Sequence, residues 1–142
     1  MKRFTFTLSA LAVAGIVAGS ALASAHAPAL FGSVMIQHQL KGCHAWAVNG
    51  GTFGASKTLT VKAGGTVTFT NNDVMPQPLV ELSGGAVHYA GNKALNKPAS
   101  QVHVTFSKPG RYVFGTKPGE DYMKGIKTVG ADNVLKLVVT VR

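Results

Sequence analysis

A chain of 142 residues, 46% of them hydrophobic and 13% charged, is long enough to bury one core and too short for two. The formal net charge of +9 points to acidic partners, because a field of this sign mainly steers encounter. The lysines are scattered, with no basic stripe interleaved with aromatics, and this excludes nucleic acid as a partner.

Residues 1–25 predict a cleaved signal peptide: Lys2 and Arg3 precede an apolar run from Leu8 to Leu22, and small residues follow it. Gly15, Gly19 and Ser20 interrupt the run, which falls short of the roughly 20 apolar residues of a membrane span. No span is therefore expected after cleavage. Cutting after Ala23 leaves Ser24-Ala25-His26, a free amine with histidine in third place, and cutting after Ala25 makes His26 the N-terminus; either arrangement chelates Cu(II). Loss of Lys2 and Arg3 leaves 12 basic residues against 5 acidic, about +7. In an extracytoplasmic space, periplasmic or secreted, the partners that suit this surface are an acidic protein or an anionic envelope surface.

Residues 26–42 read as an N-terminal extension with a first strand, and residues 43–142 as the main domain. Cys43 is the single cysteine, so no internal disulfide forms. Three fates are open to it: a buried small hydrophobe, a metal thiolate, or an intermolecular disulfide. From Ser33 onward short strands are separated by Gly, Asn and Pro. They are Val34 to Leu40, His44 to Val48, Thr58 to Lys62, Thr66 to Asn71, Leu79 to Leu82, Val87 to Tyr89, Val102 to Phe106, Arg111 to Thr116 and Val134 to Val141. Leu59/Val61, Val67/Phe69, Val102/Val104/Phe106, Tyr112/Phe114 and Leu135/Leu137/Val139/Val141 alternate as half-buried strands of a two-sheet sandwich do. "KAGG" (Lys62 to Gly65) and "KPGR" (Lys108 to Arg111) read as tight reversals between adjacent strands. The longest irregular connection, Gly84 to Ser100, holds a short helical turn around Lys93 to Asn96 in this reading.

The order "KTLTVKAGGTVTFTNNDVMP", a long connection, then "VTFSKPGRYVFGTKPGEDYMKG" and a last apolar strand resembles the cupredoxins, the plastocyanin-like blue-copper proteins, over roughly Ala45 to Arg142. The resemblance implies an all-β fold, a cupredoxin-like two-sheet Greek-key β-sandwich. In that family the Asn-Asn-Asp-x-x-Pro turn leads to a histidine ligand, and the Gly-x-Tyr-x-Phe strand runs into a loop with a cysteine, a second histidine and a methionine. Carried over, these positions fall on Gln77, Thr116, Gly119 and Met123, and only Met123 keeps its family identity. A blue-copper centre needs a thiolate and two imidazoles, with the thioether as a weak axial ligand, so Met123 alone cannot hold copper that way. Pro76 and Pro78 then frame a former ligand position now held by a neutral amide, which can donate and accept hydrogen bonds and so tie two loops together.

"KGCHAWAVNGG", Lys41 to Gly51, adds a Cys-His pair outside this motif. Cys43 and His44 point to opposite faces of a strand and reach one site only where the strand bulges or has not begun, for which Gly42 provides. The loop rim of such a fold brings Cys43 or His44 near Met75, Met123, Glu120 and Asp121; thiolate, thioether and imidazole together suit Cu(I). The competing reading packs His44 beside Trp46 as an ordinary strand residue and makes Met75 a loop hydrophobe. Glu120 and Asp121 either pair with Lys117 or Lys124 or act as cation ligands. His38, His88 and His103 show no ligand spacing, and His103 falls on the solvent face. No spacing of a general acid with a base or a nucleophile marks an enzyme. The expectation is a non-enzymatic, exported cupredoxin-like protein that binds or handles copper through Cys43, His44, Met75, Met123 and Glu120, or else a metal-free sandwich that binds an envelope partner.

Overall fold

The computed structural model describes residues 28–39, 43–116 and 135–142. Its strands are β1 (Ala29–Gln39), β2 (Cys43–Val48), β3 (Ser56–Asn71), β4 (Leu79–Ser83), β5 (His88–Gly91), β6 (Gln101–Thr105), β7 (Gly110–Thr116) and β8 (Lys136–Val141). The described residues contain no helix, hence none long and apolar enough to cross a membrane.

The topology is organised around β3. Its first half, Ser56 to Val61, runs parallel to β8, which pairs antiparallel with β7, which in turn pairs with β4. Its second half, Thr66 to Asn71, runs parallel to β1 and antiparallel to β6; β2 extends the layer beyond β1 and β5 extends it beyond β6. The two layers of the expected cupredoxin-like sandwich are present, joined through this one strand into a mixed sheet of eight.

The bend at Lys62 to Gly65 is a corner, and this corrects the expected hairpin: the two halves of β3 do not pair with each other but with different neighbours. Gly64 takes φ +80 there, a conformation that costs glycine little. A Cβ on Gly65 would lie 2.7 Å from Lys62 O and 3.0 Å from Leu30 O, so the closeness of three backbone segments keeps that position free of a side chain. "KPGR" likewise carries the chain from β6 in one layer to β7 in the other; β6 and β7 do not pair.

Every alternating apolar residue named above is buried, since in a strand of period two these positions share one face. Phe69 and Phe114, from opposite layers, meet with ring centroids 5.4 Å apart, and Phe106 lies 4.9 Å from Tyr112. The segment expected to turn helically around Lys93 instead makes hydrogen-bonded turns: Asn92 Oδ1 accepts from Ala94 N and Asn92 O from Leu95 N. Leu95, at φ +43, is driven fully into the core. An asparagine that caps its own turn competes with helix formation.

On the open flank, Tyr89 of β5 faces Glu81 of β4. Burial, and then the Glu81 carboxylate beside it, push the Tyr89 phenol up to about 12 from its ordinary value of 10.0. A raised folded-state value means that the native protein holds this proton more tightly than the unfolded chain. The stabilisation is therefore complete below the ordinary value and lost as pH rises through the window between the two. Carbon-13 labelled tyrosine ring shifts are expected to show Tyr89 titrating above the ordinary phenol value, and Glu81→Gln to bring its midpoint down; an unchanged midpoint in that variant would remove Glu81 as a cause.

Candidate metal centre

His38 and His44 are partners across the β1–β2 pair, so their side chains rise from the same face of the sheet. On β1 the stripe of Val34 and Ile36, both buried, is continued by His38, which stands beyond the edge of the core and is exposed. On β2, His44 precedes the buried Trp46 on the same face and is itself only 4% exposed. The two rings meet edge to face, centroids 5.6 Å apart.

The third member comes from the turn after β3. Asn71 is fully buried; its Oδ1 accepts from Asp73 N at 2.8 Å, and its Nδ2 donates to Met75 O at 2.7 Å and Leu95 O at 2.8 Å. Asp73 Oδ1 accepts from Met75 N at 3.1 Å. Asn72 fastens the turn to β1 by donating its backbone N–H to Ile36 O at 2.7 Å. These bonds fix the Asp73 carboxylate, 1% exposed, with Oδ2 2.9 Å from His44 Nε2. The separation is that of an ion pair, while Oδ2 accepts no aligned hydrogen bond among the described residues.

One donor atom each from His38, His44 and Asp73 lies within 4.8 Å of the other two. Two imidazoles and a carboxylate form a set that binds borderline divalent ions. The set is exposed at His38 and buried at His44 and Asp73.

Of the residues expected to bear a ligand, His44 is at this centre. Met75 is half-buried and contributes its backbone to the turn that carries Asp73. Cys43 opens β2 with its backbone paired to Gln39; its side chain, together with Glu120, Gly119, Asp121 and Met123, lies outside the described residues. Gln77 is 3% exposed; its link to the facing loop is a backbone one, its N–H donating to Leu95 O at 3.1 Å, and not the side-chain tie expected of the amide. Its Nε2 is buried with no hydrogen-bond partner among the described residues. Thr116, also buried, ends β7 opposite Leu79, two residues beyond Gln77. An amide and a hydroxyl supply neither the thiolate nor the imidazoles of a blue-copper centre, so these positions do not fit that group. His38 and Asp73 carry no ligand spacing along the chain. The signal for His38 is its parity with Val34 and Ile36; Asp73 is marked only by its place in a turn-forming Asn-Asn-Asp run. His88 and His103 are exposed, and His103 Nδ1 bonds Thr68 Oγ1 at 2.9 Å.

No family model matches the chain, and no curated protein matches it significantly. Among solved structures it is similar to a purple cupredoxin from Nitrosopumilus maritimus, with 18% identity over 78% of this chain and 98% of that one and a TM-score of 0.48. It is similar to amicyanin from Paracoccus versutus, with 16% identity over 78% and 81% and a TM-score of 0.38. It is also similar to a Cu-containing nitrite reductase from Thermus scotoductus, with 20% identity over 78% of this chain but 22% of that one and a TM-score of 0.43. The chain thus spans about a fifth of the reductase. What is cupredoxin-like here is the fold, and it rests on the strand order about β3 and on the alternating core.

Proposed function

We propose that this chain is an exported, non-enzymatic cupredoxin-like protein that binds a metal ion, copper foremost, at a non-standard site made of His38, His44 and Asp73. The observation that carries this reading is the convergence of two imidazoles and a carboxylate at one end of the sandwich. Gln77 and Thr116, at the ligand positions that the motif resemblance implies, carry no ligand of the usual kind, so metal chemistry here depends on a different set of side chains. The leader-like N-terminus supports export, and the basic surface supports encounter with an acidic protein or an anionic envelope surface.

The test is retention. In a His26→Ala background, which removes the amine-imidazole chelate of a processed N-terminus, the mature protein is expected to keep about one equivalent of copper through desalting; His44→Ala and Asp73→Ala are expected to keep none. Full retention by both variants would defeat the site, and no retention by the parent would defeat the function. A second reading, a metal-free module that docks on an anionic surface, is favoured by the closed His44 and Asp73 contact, which needs no ion to hold it. That reading gains if metal uptake is absent while binding to anionic vesicles weakens with salt.

A further inference from the structure

We infer that two copies of this chain associate face to face through the outer surface of the layer built from β2, β1, the second half of β3, β6 and β5, with Phe31 of each copy seated in an apolar hollow of the other.

The knob is Phe31. Val34 and Ile36 on β1 point into the core, so Phe31, Ser33 and Met35 stand on the opposite face of the strand. Phe31 pairs with Thr66 and Met35 with Thr70, which alternate on β3 with the buried Val67 and Phe69. The Phe31 ring is 75% exposed and Met35 40%. Burying such a ring is worth about 1.5 to 3 kcal/mol, and the isolated fold leaves that unrealised.

The hole lies further along the same strand, where the face dips into a hollow of about 330 Å³ walled by Met35, Ala47, Phe53 and Thr70. Its rim is fixed by Asn49, at φ 49. Asn49 Oδ1 accepts from Ser33 N at 2.8 Å, and Asn49 N donates to Ser33 O at 2.8 Å, which ties the turn with Gly50 and Gly51 to β1. A cavity of about 150 Å³ already accepts benzene, so a phenyl ring fits. Phe31 and Met35 are about 13 Å apart along β1, and a two-fold axis beside Ser33 therefore sets each ring over the other copy's hollow. A two-fold interface needs such a patch, one that complements itself.

Charge selects the same face. The chain carries +9, and the other layer turns the exposed Arg111 and Lys136 outward, where a second copy would meet its own sign. Among the described residues, the strand positions that share the face of Phe31 are Phe, Ser, Met, Gln, Ala, Thr and His, with no Asp, Glu, Lys or Arg. An anionic surface finds no cation there, whereas a second copy meets no repulsion. The face measures about 24 Å across its five strands and about 20 Å along β1, so contact buries on the order of 1,000 Å² in total, the lower limit of a specific interface. The dimer is accordingly a weak one, half-formed at roughly 100 μM.

The test is sedimentation velocity on the mature chain, with reductant so that Cys43 cannot link copies and with chelator so that no ion bridges them. The weight-average mass should climb toward that of a dimer between about 10 μM and about 1 mM. Phe31→Lys should weaken association by at least about tenfold, with circular dichroism unchanged because the ring is exposed. Leu82→Lys, at an exposed apolar residue of β4 in the other layer, should leave association as it was. In a mixture of labelled and unlabelled protein, isotope-filtered NMR should show the Phe31 ring of one copy against the Met35 methyl group of the other. A chain still monomeric at about 1 mM, a dimer indifferent to Phe31→Lys, an equal loss in Leu82→Lys, or a dimer without the Phe31–Met35 contact would each overturn the inference. None of these outcomes bears on copper retention, which is measured without chelator.

Discussion

Asn71→Ala is expected to destabilise the protein by about 3 to 5 kcal/mol, measured as the shift in a denaturant transition. Asn71 is fully buried, and its side chain satisfies Asp73 N, Met75 O and Leu95 O. Removing it orphans two backbone groups, Asp73 N and Met75 O, each costing about 1 to 3 kcal/mol when left buried and unpaired, and strips Leu95 O of one of its two donors, the Gln77 N–H being the other. Against a total stability of about 5 to 15 kcal/mol for a domain of this size, such a loss brings the chain close to unfolding. Asn71→Asp separates the roles of the two side-chain atoms: it keeps an acceptor for Asp73 N but sets a buried carboxylate against two carbonyl oxygens, so no smaller loss is expected. A shift below about 1 kcal/mol in the alanine variant would show that Asn71 does not organise this turn.

The two histidines should separate stability from metal binding. His44→Ala leaves the Asp73 carboxylate, 1% exposed, without the imidazole beside it, and a buried charged acceptor left unsatisfied costs about 1 to 3 kcal/mol or more. His38→Ala removes an exposed ring whose edge-to-face contact with His44 is worth about 0.5 to 1.5 kcal/mol, so the smaller loss is expected there. Yet both variants should lose copper, because each removes a donor from the same set. Calorimetric unfolding of the two metal-free variants, set beside their copper retention, reads out both quantities. Equal destabilisation by the two variants would mean that the structural division of labour between them is wrong.

The alternation of Leu135, Leu137, Val139 and Val141 revealed a core strand from the sequence alone, because period two is a local property. What the glycines of Lys62 to Gly65 did not reveal was which strands they join: the same residues serve a hairpin or a corner, and only pairing with β1, β6 and β8 decides between them. The centre was half legible. His44 stood out beside Cys43, and Gln77 stood out between its prolines, although its side-chain Nε2 makes no tie among the described residues. His38 became part of the set through cross-strand register with His44, and Asp73 through the parallel alignment that lays the end of β3 beside the end of β1. Both relations join residues distant in sequence, and residue spacing along the chain does not encode them.

The single strand that serves both halves of the sandwich sets how the molecule can deform. β3 is hydrogen-bonded into both layers, so any sliding of one past the other has to be taken up by backbone rotation at the Lys62–Gly65 corner, where φ and ψ are soft and bond lengths are not.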